Sequence, residues 1–148
     1  MNFPILSSLI LLPSIGALFL LFTKSNKENN ITVKYVALFT SLVNFFLSVY
    51  LWILFDQSTS EFQFVEERIW IEGLINYKVG IDGISILFII LTTFITPLCI
   101  ISVNNSITDR LSEFLIAILI MESFMIGVFC SLDLVVFYLF FEAGLIPM

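Results

Sequence analysis

Histidine is absent, cysteine occurs twice, and charged side chains fill only 12% of the 148 positions. With Cys99 and Cys130 as the whole thiol inventory, no Cys-x-x-Cys pair, zinc pattern or haem ligand set can be assembled. Glycine is scarce as well, and "GIDG" at 80–83 lacks the spacing of a dinucleotide or Walker fingerprint. Six basic residues against twelve acidic ones give a net charge of −6, which argues against nucleic acid as a partner. If such a chain serves a redox enzyme, the electrons travel elsewhere. The first apolar run also lacks what a leader would need. It has no basic n-region and no small-residue cleavage site, and no Arg-rich transit peptide precedes it. It reads as a retained helix, in a chain made in the compartment that inserts it.

What the sequence has is apolar length. The composition is 59% hydrophobic with a mean hydropathy of +1.09, more than a soluble domain can hide. The fold class is therefore an all-α membrane protein. Runs at 2–22, 33–55, 81–103 and 111–130 can each cross about 30 Å of hydrocarbon as a helix, and a fifth spans 132–148. Apolar residues surround these runs on nearly every face. Pro4, Pro13, Pro97 and Pro147 lie in apolar segments, where membrane helices tolerate local kinks. Between helices two and three, "FQFVEERIWI" favours β structure and predicts a hairpin-like outer loop whose acidic residues form a solvated face.

Loop charge sets the orientation. Lys24, Lys27 and Lys34 oppose Glu28 in the first loop, and Arg110 opposes Asp109 in the third. The second loop carries Asp56, Glu61, Glu66, Glu67 and Glu72 against Arg68 and Lys78. The positive-inside rule puts the first and third loops in the cytoplasm or matrix. Asp82 reads as the N-cap of helix three; Asp133 or Ser131 does the same at helix five. Cys99 and Cys130 fall near opposite membrane faces, beyond disulfide reach.

Two acids break the apolar runs. Glu122 lies about ten residues before the tight turn at 131–133 and Glu142 about ten after it, so at 1.5 Å per residue both sit roughly 15 Å deep on antiparallel neighbours. Rotation of the helices, which decides whether they face each other, stays open. Hydrogen-bond glue is worth only about 0.6 kcal/mol on average in membranes, poor compensation for burying a carboxyl. Intramembrane carboxyls more often mark an ion or proton path. Burial and a nearby carboxylate favour the neutral form, and a lysine favours the ionised one. Glu142 is the stronger candidate for proton transfer and Glu122 the secondary one.

"GIDGISILFIILTTFITPLCI" (80–100), "MESFMIGVFCSLDLVVFYLFFEAGLIPM" (121–148) and "FDQSTSEFQFVEE" (55–67) resemble the chain 4 family of NADH–ubiquinone oxidoreductase, respiratory complex I. The resemblance covers nearly the whole chain. It implies an antiporter-like subunit of the proton-pumping membrane arm, with Glu142 as the carboxylate of the fifth helix paired to a lysine on a later helix. Glu122 matches a fourth-helix glutamate of the mitochondrial type. It also implies an H⁺-translocating NADH:ubiquinone reductase with no cofactor in this chain, since flavin, iron–sulfur clusters and quinone belong to other subunits. The family's subunit continues through further helices. A split subunit, with a separate chain carrying the rest of chain 4 as a partner, is the favoured expectation and a truncated product the alternative; other membrane-arm subunits and membrane lipids are further expected partners. The Asn, Lys, Ile and Phe bias points to an organelle-encoded protein of the mitochondrial inner membrane, with a bacterial plasma membrane as the alternative. The competing functions are a subunit of a multisubunit sodium/proton antiporter and a purely structural helical scaffold.

Overall fold

The computed structural model describes residues 4–22, 30–71, 75–103 and 110–148. Lys24, Lys27, Glu28, Glu72 and Asp109, which carry part of the loop-charge reading, lie outside these residues, as does the helix start expected at residue 2. The elements run α1 (Ile5–Phe22), α2 (Asn30–Leu54), β1 (Gln63–Ile71), β2 (Ile75–Ile81), α3 (Gly83–Ser102), α4 (Leu111–Cys130) and α5 (Leu134–Leu145).

Helices α1 to α4 have 18, 25, 20 and 20 residues and are long and apolar enough to cross a membrane. The run at 132–148 gives a shorter helix than the sequence suggests. Its 12 residues reach about 18 Å at 1.5 Å per residue, short of a full crossing. After Leu145 the Ile146 N–H bonds to the Ala143 carbonyl at 3.3 Å, and Pro147 has no N–H with which to extend the helical ladder. Two starts follow the local rule for acids before apolar runs. Asp82 accepts from the Ser85 N–H at 2.7 Å. Asp133 accepts from the Val135 and Val136 N–H groups at 2.8 and 3.4 Å. Ser131 instead donates to the Gly127 carbonyl at 2.6 Å.

The helix α4 is the hub, packing against α1, α2, α3, α5 and β2. Close approach is bought locally by Gly127, where an added Cβ would lie 2.7 Å from the Phe140 ring of α5. Small residues at such crossings matter because lipid is as apolar as leucine, so packing rather than water exclusion holds membrane helices together. The buried apolar residues fall into two clusters. Leu6, Leu9, Leu51, Val79, Ile86, Ile89, Ile126 and Cys130 belong to the one at the hairpin end. Ala17, Leu20, Val33, Ala37, Ile100, Leu111, Leu115 and Leu119 form the other. Along α2, α3 and α4 the two clusters are separated by buried polar positions.

The antiparallel hairpin β1–β2 closes the first end, with Glu66 opposite Val79 and Glu67 opposite Lys78. Between Gln63 and Glu66 the register shifts, and Phe64 adopts φ 53°, a left-handed conformation uncommon for a residue other than glycine. The bulged strand then presents Glu66 to the start of α1. Its Oε1 accepts from the Leu6 N–H at 2.9 Å, and its Oε2 accepts from the Ser7 N–H at 3.2 Å and from the Ser7 hydroxyl. This corrects the reading of the loop acids as a solvated face. Glu61 and Glu67 are exposed, but Glu66 is half-buried and serves as a cap supplied from another element, satisfying amides that a helix start leaves unpaired. The strand β2 is tied to the α4–α5 turn by the Leu132 N–H, which donates to the Lys78 carbonyl at 3.0 Å.

At the opposite end, Lys34 of α2 donates from Nζ to the Val103 carbonyl at 2.8 Å and the Ile101 carbonyl at 3.4 Å. A cation on the last carbonyls of α3 complements the helix dipole there. Cys99 is exposed and Cys130 buried, and both are free thiols.

Candidate functional site

The site begins with α2. Its buried residues are Val33, Ala37, Ser41, Asn44, Ser48 and Leu51, a stripe spaced by three, four and seven residues that follows one helical face. The middle of that stripe is polar, so α2 turns its hydroxyls and amide inward and its aromatics outward. Facing it are Thr93 of α3 and Glu122 and Ser123 of α4, all buried. Ser14 of α1 completes the layer. The uniform apolar coverage expected from the sequence therefore gives way, inside the bundle, to one polar layer between the two apolar clusters.

Hydrogen bonds join the layer across helices. Asn44 Nδ2 donates to Glu122 Oε1 at 2.8 Å. Ser48 and Thr93 share their hydroxyls at 2.7 Å. Ser14 donates to Ser123 Oγ at 2.7 Å, and Ser123 donates to the Ile10 carbonyl at 2.5 Å. Two atoms are left over: Glu122 Oε2 and Asn44 Oδ1 are buried without a hydrogen-bond partner among the described residues. Glu122 is 2% exposed and Asn44 0%, so water does not make up the difference on the open surface. An unpaired buried acceptor costs about 1–3 kcal/mol. The carboxyl is held under that cost midway along a helix of membrane length.

Glu142 sits in different surroundings. It is exposed on α5, and Tyr138 one turn earlier interacts with its carboxylate. The packing that fixes α5 uses the other face: Phe140 contacts Phe124 with ring centroids 6.4 Å apart, and Gly144 lies beside Phe124, an added Cβ there falling 3.8 Å from Phe124 Cβ. Those contacts put Glu142 level with Phe124, half a turn of α4 from Glu122. The two acids thus share a level but point apart: Glu122 into the bundle, Glu142 away from it. The structure does not bring them together.

The sequence reading passed over Asn44, Ser14, Ser48, Thr93 and Ser123. The available signal was the recurrence of non-apolar residues at 41, 44 and 48 in an otherwise apolar run, which marks a polar face at helical spacing. Among the described residues, no group of three or more His, Cys, Asp or Glu side chains could hold a metal ion.

No protein-family model matches the chain. Individual relatives do. The chain is 47% identical over 144 residues to "NADH-ubiquinone oxidoreductase chain 4" of Marchantia polymorpha, covering 97% of this chain and 29% of that protein. The chain 4 protein of Arabidopsis thaliana matches with the same identity and coverage. It is 56% identical over 115 residues to "NADH-quinone oxidoreductase subunit M" of Rhodobacter capsulatus, covering 78% of this chain and 22% of that one. The chain thus spans less than a third of the length of these relatives. With identities of this size across nearly all of its five helices and hairpin, the chain belongs to the family of NADH-ubiquinone oxidoreductase chain 4 and NADH-quinone oxidoreductase subunit M.

Proposed function

We propose that this chain is part of the proton-translocating membrane arm of an NADH–quinone oxidoreductase, in which Glu142 transfers protons and Glu122 is a secondary proton site. The observation that carries the reading is Glu122, a carboxyl buried midway along α4 in a bundle with four membrane-length helices, with one oxygen unpartnered among the described residues. Apolar packing alone gives no reason to place it there. Glu142 enters through the "FFEAGLIPM" motif and through its position on the exposed face of α5, open to a cationic side chain from a further membrane segment. Redox chemistry belongs to other subunits that hold flavin, iron–sulfur clusters and quinone. The chain's residues contribute a protonatable path, coupled to that chemistry by conformation and charge. The Asn, Lys, Ile and Phe bias supports the mitochondrial inner membrane as its location.

The test is NADH-driven proton pumping by the assembled complex in vesicles. Glu142→Gln keeps the shape and removes the charge, so assembly survives and pumping collapses. Wild-type pumping in an assembled Glu142→Gln complex overturns the role. Orientation is checked separately: in a cysteine-free background, single cysteines at Asn29 and Ser60 label from opposite sides, with Asn29 on the matrix or cytoplasmic side.

A further inference from the structure

Glu122 and Asn44 lie on different helices, yet among the described residues the two buried side-chain atoms without a partner are one on each of them, Glu122 Oε2 and Asn44 Oδ1. With Glu122 ionised, both atoms are acceptors, and no donor among the described residues reaches either. That arrangement is paradoxical for a pair already joined by an Asn44 N–H to Glu122 Oε1 bond of 2.8 Å. A single proton resolves it. A protonated carboxyl has one donor and one acceptor, and so does the matching edge of a primary amide. The two edges are complementary: amide N–H to acid C=O, acid O–H to amide C=O. The first of these bonds is present, and the two leftover atoms are the ones the second requires. Rotation about the terminal torsions of Glu and Asn, which are soft, is the motion that closes it.

We propose that Asn44 is a positioning residue that holds Glu122 as a neutral acid in a two-hydrogen-bond acid–amide pair, so that the resting polar layer carries its proton on Glu122. This rests on the reading of Glu122 as a proton site and states in which form it waits. Neighbouring groups favour the same state. The other polar residues named in the layer are Ser14, Ser41, Ser48, Thr93 and Ser123, all neutral. No lysine or arginine of the described residues lies in the layer to stabilise an anion. Ser41 and Ser123 spend their hydroxyl hydrogens on the Leu38 and Ile10 carbonyls, so neither is free to solvate a carboxylate. Loss of the proton would leave two buried acceptors without a donor, which makes the pair a two-state element biased by one proton.

The experiment is infrared difference spectroscopy on the assembled complex, comparing wild type with Glu122→Gln, Asn44→Leu and Asn44→Ala. A protonated-carboxyl C=O band present at rest and lost in Glu122→Gln is expected. In Asn44→Leu, which removes the N–H that lowers the C=O frequency, that band should move to higher wavenumber. Asn44→Ala does the same with a smaller side chain, should leucine block assembly. A band that is missing at rest, meaning an ionised Glu122, overturns the proposal; so does one that stays put in both Asn44 variants. Pumping is read on the same samples. Normal pumping by Glu122→Gln with a shifted band in the Asn44 variants would remove Glu122 from the proton path and leave the acid–amide pair standing.

Discussion

Glu122 and Glu142 are the same side chain at the same level of two adjacent helices, and the bundle treats them oppositely. Glu122 is buried in the bundle, anchored by Asn44 of α2, and 2% exposed. Glu142 projects from the free face of α5, with Tyr138 one turn away. The contrast separates two questions that composition merges: which acid this bundle depends on for its packing, and which acid is available to something beyond it. Glu122 is integral to the fold of these five helices. Glu142, exposed on α5 in the apolar "FYLFFEAGLIPM" stretch, contributes little to that fold.

The largest expected effect tests the second half of the contrast. Glu142→Gln should nearly abolish NADH-driven pumping while the complex assembles, and Glu142→Asp, with its charge on a shorter stem, should retain part of the activity. Glu122→Gln should cost less pumping than Glu142→Gln. Equal losses from both would break the contrast by making the two acids one functional unit.

Stability should rank them the other way. Glu122→Ala leaves Asn44 with a stranded amide and opens a gap at a buried position. Stranding a buried polar group costs about 1–3 kcal/mol, so the level of assembled complex should fall. Glu142→Ala removes an exposed side chain and should leave that level near wild type. Quantitative native gels of the two variants make the comparison. Better assembly of Glu122→Ala than of Glu142→Ala would reverse the assignment of the buried acid.

These expectations show which features a sequence can reveal. Asp82 and Asp133 are legible because a cap is local: the acid, the helix start and the amides it bonds lie within three residues. The four long helices are legible because apolar length is a property of one segment. The Asn44–Glu122 pair spans 78 positions and depends on how α2 is rotated about its axis, which only packing against α3 and α4 decides. Glu66 is hidden for the same reason. Its role depends on a bulge at Phe64 and on α1 arriving from 59 positions away. In the sequence it is one of several acids in a loop; in the fold it is tied to a helix start. Glu142 marks the converse. Its motif is legible, and its exposure is not, since a twelve-residue apolar helix can bury either face.

Glu66 sharpens the comparison with a carboxylate that is satisfied. Its oxygens serve the Leu6 and Ser7 amides, so it acts as an anion at a helix start. Glu66→Ala should weaken the hold of the hairpin on α1 by about 1 kcal/mol, the usual worth of a cap. Faster amide exchange at Leu6 and Ser7, with pumping retained in assembled complexes, is the expected result. Unchanged exchange would show that the hairpin is held by Val79, Ile81 and the Leu132 bond alone.

The smallest effect comes from Asp82, which differs from Glu122 in every respect that matters. It lies outside the membrane-length helices, near solvent, and the Ser85 backbone N–H and then the Ser85 hydroxyl hold its carboxyl below the usual carboxylate range. Since the folded form releases its proton more readily than the unfolded one, the cap's contribution is fully present above the unfolded value of about 3.9. It is lost as pH falls through the lower folded value. Between pH 5 and 8 the cap is therefore constant. Asp82→Ala should cost about 1 kcal/mol across that window, while Asp82→Asn, also a good cap, should cost less. Thermal unfolding of the detergent-solubilised complex, followed by amide exchange at Ser85, measures both. A loss from Asp82→Ala that shrinks on going from pH 8 to pH 5 would mean that Asp82 is already taking up a proton there. Its hydrogen bonds to Ser85 would then be too weak to act as the cap of α3.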